Sequence, residues 1–291
     1  MSREGKFALP LCAFVTLLAS APVHAGKFFN EFEILGQVGS EHYRWTDYNY
    51  LGDTVAKESG TTTSARISAN NFFRSTNGII YGAEIGSSDG HGDYYGDAWT
   101  GIVVPPANAA TTIAGTNSGH SRVGIHGGYR YKTGPFGFNA LAGVFSETWD
   151  RDIKNGTSTT GTLTYGHSES TLFSGFQLTG GVDLTLARFR VSLVAGPMFT
   201  NGTRTVTLNI PTAHDILDVD LTFKNAYFAA LNSSLALDET GHHRIELTLY
   251  QTSFKTKPDS TPYVSARGTA YLQPGAETRS SGVQIGYGYT F

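Results

Sequence analysis

The last ten residues of the chain alternate strictly between two kinds of side chain. One set is apolar or aromatic and consists of Val283, Ile285, Tyr287, Tyr289 and Phe291. The other set is small or polar and consists of Gly282, Gln284, Gly286, Gly288 and Thr290. Because neighbouring side chains of a β-strand point to opposite faces, the segment predicts a strand with one apolar and one polar face. The same period recurs in residues 123–131, 176–186, 189–199 and 221–237, so the chain is predicted to be all-β.

Such alternation occurs in soluble antiparallel sheets and also in barrels that face lipid outside and a polar lumen inside. Three features favour a closed antiparallel transmembrane β-barrel. The alternating segments are longer than the usual length of about five or six residues. Short and long connections follow each other in turn. The last strand has aromatic side chains at every second position and ends on Phe291. Separately, charged residues make up only 15% of the chain, against about 25% in soluble domains. The mean hydropathy of −0.18 is too low for a helical membrane protein.

We predict about ten strands, with about eight or twelve as open alternatives. The strands lie near residues 30–46, 62–74, 79–88, 121–132, 136–149, 165–186, 189–207, 221–237, 244–256 and 277–291. Tight turns are predicted at 75–78, 133–135, 187–188 and 239–242. Long loops are predicted at 47–61, 89–120, 150–164, 208–220 and 257–276. Since short turns face the periplasm and the strand number is even, both termini of the chain should be periplasmic.

The first 25 residues have the parts of a secretory signal peptide. Arg3 and Lys6 supply the basic start, residues 7–18 form an apolar run, and residues 23–25 form an A-x-A-like cleavage site. The run is too short to cross a hydrocarbon core of about 30 Å as a helix. We therefore predict cleavage after residue 25 and one barrel domain over residues 26–291. Cys12 is the only cysteine, so the processed chain would contain neither a disulfide nor a free thiol.

An export signal, a cysteine-free processed chain and a final strand ending in phenylalanine together resemble the Gram-negative outer-membrane β-barrel proteins. The resemblance covers residues 26–291 and implies a location in the outer membrane, in contact with its lipid and lipopolysaccharide. It also implies that Tyr287, Tyr289 and Phe291 form the assembly signal that the barrel-assembly machinery reads. A formal net charge of −3 gives no basic footprint for nucleic acid, so no nucleic-acid partner is expected.

Alternation also assigns charged residues to the polar, inward face of the predicted strands. They are Glu33, Arg66, Glu84, Arg122, His126, Arg130, Asp183, Arg190, Lys224, Arg244 and Glu246. About eight strands are filled by their own side chains and about 16–18 leave a channel, so ten should leave at most a narrow lumen. Two interpretations stay open for this set. It either lines a selective, mildly cationic pore or forms an ion-pair network that braces the barrel.

Two predicted loops carry residues suited to acid–base chemistry. Loop 89–120 contains Asp89 and Asp93, and loop 208–220 contains His214 and Asp215. If both loops overhang the barrel mouth, the arrangement resembles the omptin proteases, ten-stranded barrels of about this length. Omptins activate a water between an Asp-x-Asp pair and an Asp-x-His pair. The spacing differs here, because Asp89 and Asp93 lie four positions apart and His214 directly precedes Asp215.

A further pairing of base and nucleophile, His167 with Ser168, is expected to fail because adjacent strand residues point to opposite faces. An aromatic group is predicted to form an interfacial girdle, with stacking on sugars or a partner as the alternative. Its members are Tyr43, Trp45, Tyr48, Tyr50, Tyr94, Tyr95, Trp99 and Trp149.

Nothing in the residues predicts a cofactor or a metal. We expect a non-enzymatic surface protein that serves envelope integrity, adhesion or host contact, or a narrow small-solute pore. An extracellular ligand or a host surface would then be its partner. The alternative is a barrel hydrolase, either an omptin-like protease or a lipid A-modifying enzyme, with its site at the extracellular mouth.

Overall fold

The structure is a computed structural model that describes residues 32–49, 51–97, 111–161, 163–210, 213–259, 263–265, 268, 270–271 and 273–291. The predicted signal peptide lies outside the described residues. The strands are β1 (Glu33–Tyr48), β2 (Thr54–Asn70), β3 (Gly78–Asp97), β4 (Thr111–Thr133), β5 (Phe136–Ile153), β6 (Gly156–Ser158), β7 (Leu163–Thr164), β8 (His167–Leu186), β9 (Phe189–Ile210), β10 (Ala213–Leu221), β11 (Phe223–Ala236), β12 (His243–Thr256), β13 (Tyr263–Val264), β14 (Ala270–Tyr271) and β15 (Gly275–Thr290). Among these residues no helix is long and apolar enough to span a membrane.

Ten long strands close into one antiparallel barrel, which confirms the predicted fold and strand number. Their order around the wall is β1-β2-β3-β4-β5-β8-β9-β11-β12-β15, and β15 pairs with β1 to close the ring. The closing register joins Glu33 to Thr290 and Tyr48 to Gly275. Every backbone ladder in the wall is therefore continued by a neighbour, which removes the free edges that a membrane-spanning sheet cannot tolerate.

The barrel strands are longer than predicted at one end. Loop 89–120 is mostly strand, because β3 runs to Asp97 and β4 starts at Thr111; residues 98–110 lie outside the described part. Loop 47–61 shrinks to the turn between Tyr48 and Thr54. Loop 208–220 is also largely strand, since β9 and β10 form a hairpin that pairs Ile210 with Ala213. The predicted loops were too long because the polar outward residues of these segments resemble loop composition.

Outward-facing apolar side chains form a belt around the end that carries the tight turns. Typical members, exposed by 40–68%, are Val38, Ile79, Ile125, Val144, Phe176, Leu193, Leu231, Leu249 and Ile285. The belt ends at outward polar residues, namely Ser40, Thr63, Ser87, Ser121, Ser146, Ser174, Asn201, Gln251 and Ser281. We call this ring the lipid-facing belt, because barrels present an apolar band about 25 Å tall to the membrane.

Beyond the lipid-facing belt the wall continues as an extramembrane half. Ten further residues of a strand tilted by about 40° add roughly 25 Å of height. Here the alternation is inverted, with polar side chains outside and aromatic side chains inside. On β3, Asp89, His91 and Asp93 are exposed, whereas Tyr94 is buried. This inversion indicates that water surrounds the extramembrane half and that its interior is a packed core.

Candidate functional site in the barrel interior

The interior of the lower half holds the charged residues that alternation assigned to the lumen. Near the end that carries the tight turns, Arg130 donates two hydrogen bonds to the carboxylate of Asp183, at 2.6 and 2.9 Å. Both residues are only 1% exposed. Glu33 pairs with Arg244, and Arg190 lies 3.7 Å from Glu246. The two-pronged, charge-assisted contact between Arg130 and Asp183 is an arrangement in which buried charges are tolerated.

Higher in the lumen, Arg122 contacts carboxylates from two other strands and one side-chain amide. Its Nε donates to Glu84 at 3.2 Å, and its two Nη atoms donate to Glu147 at 3.0 Å and Gln177 at 2.5 Å. Arg66 also lies 3.6 Å from Glu84. The cations at this level are therefore engaged by carboxylates, as the ion-pair interpretation requires and as an open cationic pore does not.

A small cavity separates this level from the tight turn between β2 and β3. It has a volume of about 100 Å³ and is lined by Phe72 and Phe73 below and by Arg66 and His126 above. His126 Nε2 is buried without a protein partner among the described residues. A polar cavity of this size holds a few water molecules, which would satisfy such an atom.

Lys224 does not lie in the lumen, which corrects its predicted position. The pairing of β11 with β12 shifts at a bulge, where Phe223 pairs with Thr256 and Asn225 pairs with Lys255. A bulge inserts one unpaired residue and changes the direction of the side chains after it. Lys224 is the inserted residue and is exposed, while Phe223 points inward against Phe173, with 5.2 Å between ring centres.

From the upper edge of the lipid-facing belt into the extramembrane half, the interior is filled by aromatic side chains and one methionine, which we call the aromatic layer. Its members are Tyr43, Trp45, Phe145, Trp149, Phe173, Met198, Phe223 and Phe254. Trp45 and Trp149 are each 1% exposed, and their ring centres are 6.0 Å apart. The imidazole of His120 stacks on Trp149 at 4.7 Å. These buried rings pack against one another in the interior of the barrel.

Four buried aromatic residues, three of them in the aromatic layer, were predicted to form an interfacial girdle, and that prediction is wrong for them. Tyr43, Trp45, Tyr94 and Trp149 are at most 6% exposed and point into the barrel. Tyr95 is 48% exposed on the outer wall. Tyr50 and Trp99 lie outside the described residues. The inward position follows from the strand extension, because each of these four residues continues the inward parity of its own strand.

An ion-pair cluster covers the aromatic layer toward the end opposite the tight turns. Arg151 donates to Glu58 and to Glu169, both at 2.8 Å, and Arg204 Nη1 lies 3.8 Å from Glu169. The guanidinium carbons of Arg151 and Arg204 lie 4.3 and 5.0 Å from the ring centre of Trp45. Cation–π contact and carboxylate pairing therefore hold the same two guanidinium groups. We call these residues the outer ion cluster.

Burial and pairing act in opposite directions on the groups of the outer ion cluster. Burial alone would raise the pKa of Glu169, but the charges of Arg151 and Arg204 outweigh it and lower that pKa below its ordinary value. Burial alone would lower the pKa of Arg151, but Glu58 and Glu169 outweigh it and raise that pKa. Both residues therefore remain charged at neutral pH, and neither is poised to exchange a proton.

The residues proposed for an omptin-like site do not lie together in the described part of the structure. Asp89 and Asp93 are exposed on the outer wall of β3. Asp215 is 5% exposed on the inner face of the β9–β10 hairpin, where it accepts a hydrogen bond from Ser265 at 2.5 Å. The side chain of His214 lies outside the described part; its backbone pairs with Asn209. Strands β3 and β9 are separated in the wall by β4, β5 and β8.

The His167–Ser168 pair is divided between two faces, as the sequence predicted. His167 is buried and lies 3.2 Å from Glu169, whereas Ser168 donates to Asp152 on the outer wall at 3.2 Å. No group of three or more His, Cys, Asp or Glu side chains within the described ranges has the arrangement of a metal site.

The sequence analysis did not select several buried charged residues, which belong to the outer ion cluster or lie beside the aromatic layer. Glu41, Glu58, Glu147, Arg151 and Arg204 were passed over, because their segments were treated as loops or strand ends. The signal that identifies them is the continued period of two: Glu147, Trp149, Arg151 and Ile153 occupy alternate positions of β5 and are all buried. An apolar-outside rule cannot detect them, because the apolar face turns inward above the membrane.

Comparison with known proteins gives a structural match without sequence relatives. No family model and no curated protein matches the sequence. The fold is similar to that of the outer membrane protease OmpT from Escherichia coli, with a TM-score of 0.69 and 12% identity over 91% of this chain and 98% of that chain. Weaker superpositions are found with the translocator domain of the autotransporter NalP from Neisseria meningitidis (TM-score 0.39, 10% identity, 99% and 97% coverage). Neisserial surface protein A matches with a TM-score of 0.30 and 11% identity over 89% of this chain and 97% of that chain.

The closed ten-stranded sheet, its lipid-facing belt and the match to OmpT define the chain as an outer-membrane-type β-barrel. The resemblance to Gram-negative outer-membrane barrels is confirmed. At 12% identity the likeness to OmpT concerns the fold alone. Activity must therefore be argued from this chain's own residues.

Proposed function

We propose that the protein is a closed, non-conducting surface barrel. A signal peptide of residues 1–25 would be removed during export, and the strand ending in Tyr287, Tyr289 and Phe291 would be read by the barrel-assembly machinery. The extramembrane half then serves as a rigid stem that holds the extracellular connections for contact with an external ligand or a host surface. Rigid presentation of loops on a packed scaffold is a common basis of recognition.

The observation that carries this proposal is the filled interior of the extramembrane half. Arg151, Trp45 and Trp149 are each at most 2% exposed. From this burial we infer that, among the described residues, the aromatic layer and the outer ion cluster leave no path for a solute at their level. A pore needs an unobstructed lumen, and a hydrolase needs an acid, a base or a nucleophile that substrate can reach. An adhesin needs only an ordered stem and accessible extracellular ends.

Planar-bilayer recording tests the closed lumen. Purified wild-type barrel should insert without producing steady current steps. A Trp45→Ala/Trp149→Ala variant should produce small intermittent steps, because both rings that occupy the axis are removed. Retention of the fold is checked by the gel mobility of the unheated sample. Steady steps from the wild type, with a size that scales with salt concentration, would show a pore and reject the proposal.

A binding assay tests the surface role. Bacteria that do not adhere on their own would display either the wild type or a variant in which residues 98–110 are replaced by a Gly-Ser linker of equal length. We expect the wild type to increase attachment to host cells or matrix protein, and the variant to lose most of the increase while surface abundance stays equal. Attachment no greater than that of cells with an empty vector would contradict an adhesive role.

The hydrolase alternative is tested by activity on peptides and on lipid A. A hydrolysis rate that is present in the wild type and abolished by Asp93→Ala or His214→Ala would overturn the non-enzymatic proposal. The expected result is no activity above the detergent blank. The exposed position of Asp93 on the outer wall, away from Asp215 on an inner face, supports that expectation.

A further inference from the structure

The outer wall of the extramembrane half carries its cations on one side of the ring. That side consists of the adjacent strands β11, β12, β15, β1 and β2, and we call it the cationic side. Its outward cations are Lys224, Lys255, Arg279, Arg44 and Lys57. Among the described strand residues above the belt on this side, Glu277 is the one outward carboxylate. Glu277 contacts Arg279 and lies 3.2 Å from Lys255, so it serves two cations.

The remaining strands of the ring carry carboxylates instead. They are β3, β4, β5, β8 and β9, extended by β10, and we call them the acidic side. Their outward carboxylates are those of Asp89, Asp93, Asp150, Asp152, Asp218 and Asp220. Above the belt, the described strand residues of the acidic side include no outward Lys or Arg. A chain with 21 basic and 24 acidic residues therefore separates its exposed charges into two opposed sides.

The two sides are opposed across the diameter of the barrel. Arg44 on β1 and Arg279 on β15 are register partners at the middle of the cationic side. In the ring of ten strands, the fifth strand after β1 is β8, and the fifth strand before β15 is β5. Strand β5 carries Asp150 and Asp152. The arginine pair and these aspartates consequently lie on opposite walls.

Both charge sets also lie at the same height. Arg44 follows Ser40, the polar edge of the belt on β1, by four positions, and Asp150 follows Ser146, the edge on β5, by four positions. Four residues of a strand tilted by about 40° rise roughly 10 Å. A membrane holds copies that insert in the same direction at one depth. The cationic side of one copy can therefore face the acidic side of a neighbour at the same level.

These charges are largely uncompensated within one copy. Arginines at register positions of an antiparallel pair, as Arg44 and Arg279 are, repel each other. Within the described residues, neither Arg44 nor Asp150 has an oppositely charged side chain at ion-pair distance. The lipid-facing belt below offers no comparable preference, since an apolar side chain gains little by exchanging lipid for another apolar surface. Opposite charges at equal height are thus the feature that can orient a neighbouring barrel.

We propose that copies of this chain associate side by side in the membrane, with the cationic side of one copy against the acidic side of the next. The contact is heterologous, and because its two surfaces lie on opposite walls it repeats into a row rather than closing as a dimer. The membrane has already removed part of the translational and rotational freedom that association costs. The contact depends neither on a closed lumen nor on an external ligand, so it can fail without affecting the proposed function.

Thiol cross-linking of the full barrel in neutral phosphatidylcholine vesicles tests the contact. The chain from residue 26 onward has no cysteine, so single cysteines report one position each. His42→Cys places a thiol on the cationic side and Ser170→Cys places one on the acidic side; both positions are exposed. A water-soluble cross-linker that does not pass the bilayer joins neighbouring copies. An equal mixture of the two proteins should give about tenfold more dimer than either protein alone. A protein with both cysteines should give a ladder of longer products.

Charge reversal in one partner provides a matched control. Arg44→Glu/Arg279→Glu in the His42→Cys protein should reduce the mixed dimer about tenfold, because the reversed charges lie in the cross-linked contact. The same substitution in the Ser170→Cys protein should leave the yield unchanged, because that copy contributes its acidic side. Unheated gel mobility verifies that each variant is folded. Salt at about 1 M, where the Debye length is about 3 Å, should also reduce the mixed dimer.

Three results would each overturn the proposal. The first is a yield of dimer from either protein alone that equals the yield from the mixture. The second is an equal effect of the charge reversal in the two cysteine proteins. The third is association that appears only after anionic lipid is added, since the cations would then be engaged by lipid and not by a second copy.

Discussion

Arg151 lies over the face of Trp45, with 4.3 Å between its guanidinium carbon and the ring centre, while its nitrogens donate to Glu58 and Glu169 at 2.8 Å. One side chain thus joins the aromatic layer to the outer ion cluster. It also joins three strands that are distant in sequence, because Glu58 is on β2, Arg151 on β5 and Glu169 on β8. The extramembrane half is braced across its interior rather than only around its wall.

Removing the arginine should destabilise this half strongly. Arg151→Met leaves Glu58 and Glu169 buried with fewer counter-charges, and breaking a buried pair in this way costs about 3–5 kcal/mol. We expect the free energy of unfolding to fall by that amount. It is measured by urea titration of the barrel in lipid vesicles, with tryptophan fluorescence as the signal. Lys154→Met is the matched control, since Lys154 is half exposed beside Asp152 and a surface pair is worth less than about 1 kcal/mol. Equal effects of the two substitutions would contradict a bracing role for Arg151.

The outer ion cluster should make stability depend on acidity. Burial opposes ionisation of Glu169, but Arg151 and Arg204 lower its pKa below the ordinary value of 4.5. Because the folded-state pKa is the lower one, the carboxylate stabilises the fold fully above the unfolded-state pKa. That contribution is lost as the pH falls toward the folded-state value. The free energy of unfolding should therefore decline below about pH 4.5, and Glu169→Gln should be less stable at pH 7 with a shallower decline.

Urea titrations at a series of pH values between 7 and 3 measure both effects for the wild type and for Glu169→Gln. An identical pH slope in the two proteins would mean that Glu169 is not held ionised by the arginines.

A glycine on β5 makes room for the lowest ion pair of the lumen. A Cβ at Gly137 would overlap Arg130 Nη2 and Asp183 Oδ1, so Gly137→Ala should push the pair apart. Overpacking of this kind costs about 1–3 kcal/mol. Gly115→Ala on the outer wall of β4 is the control, because a Cβ there meets nothing within 4 Å. Comparison of the two unfolding midpoints checks the prediction, and a Gly137→Ala protein as stable as Gly115→Ala would refute it.

The fold was predictable where one rule holds along the whole strand. In the lower half, apolar side chains face lipid and polar ones face the lumen, so β15 could be read directly from Val283 to Phe291. The same rule predicted the inward direction of Arg130 and Asp183. It could not predict that Arg130 pairs with Asp183, since β4 and β8 are brought close only when both have paired with the intervening strand β5.

The upper half was not predictable by the same rule, because water replaces lipid outside the wall. Trp45 and Trp149 turn inward there, and Asp89 and Asp93 turn outward, so the apolar face changes sides within one strand. Lys224 illustrates a second cause. One inserted residue at a bulge reverses the parity of the strand, and nothing in the sequence around Phe223 and Asn225 marks where the bulge falls.

Spin-label accessibility along β4 tests most directly whether lipid covers the lower outer wall and water the upper. The chain from residue 26 onward has no cysteine, so single cysteines can be introduced at Ile125, within the lipid-facing belt, and at Asn117, above it. In lipid vesicles, a label at position 125 should collide with oxygen and be protected from a water-soluble nickel chelate, whereas a label at position 117 should show the reverse. A label at position 125 that the nickel chelate reaches as readily as position 117 would contradict the membrane barrel described here.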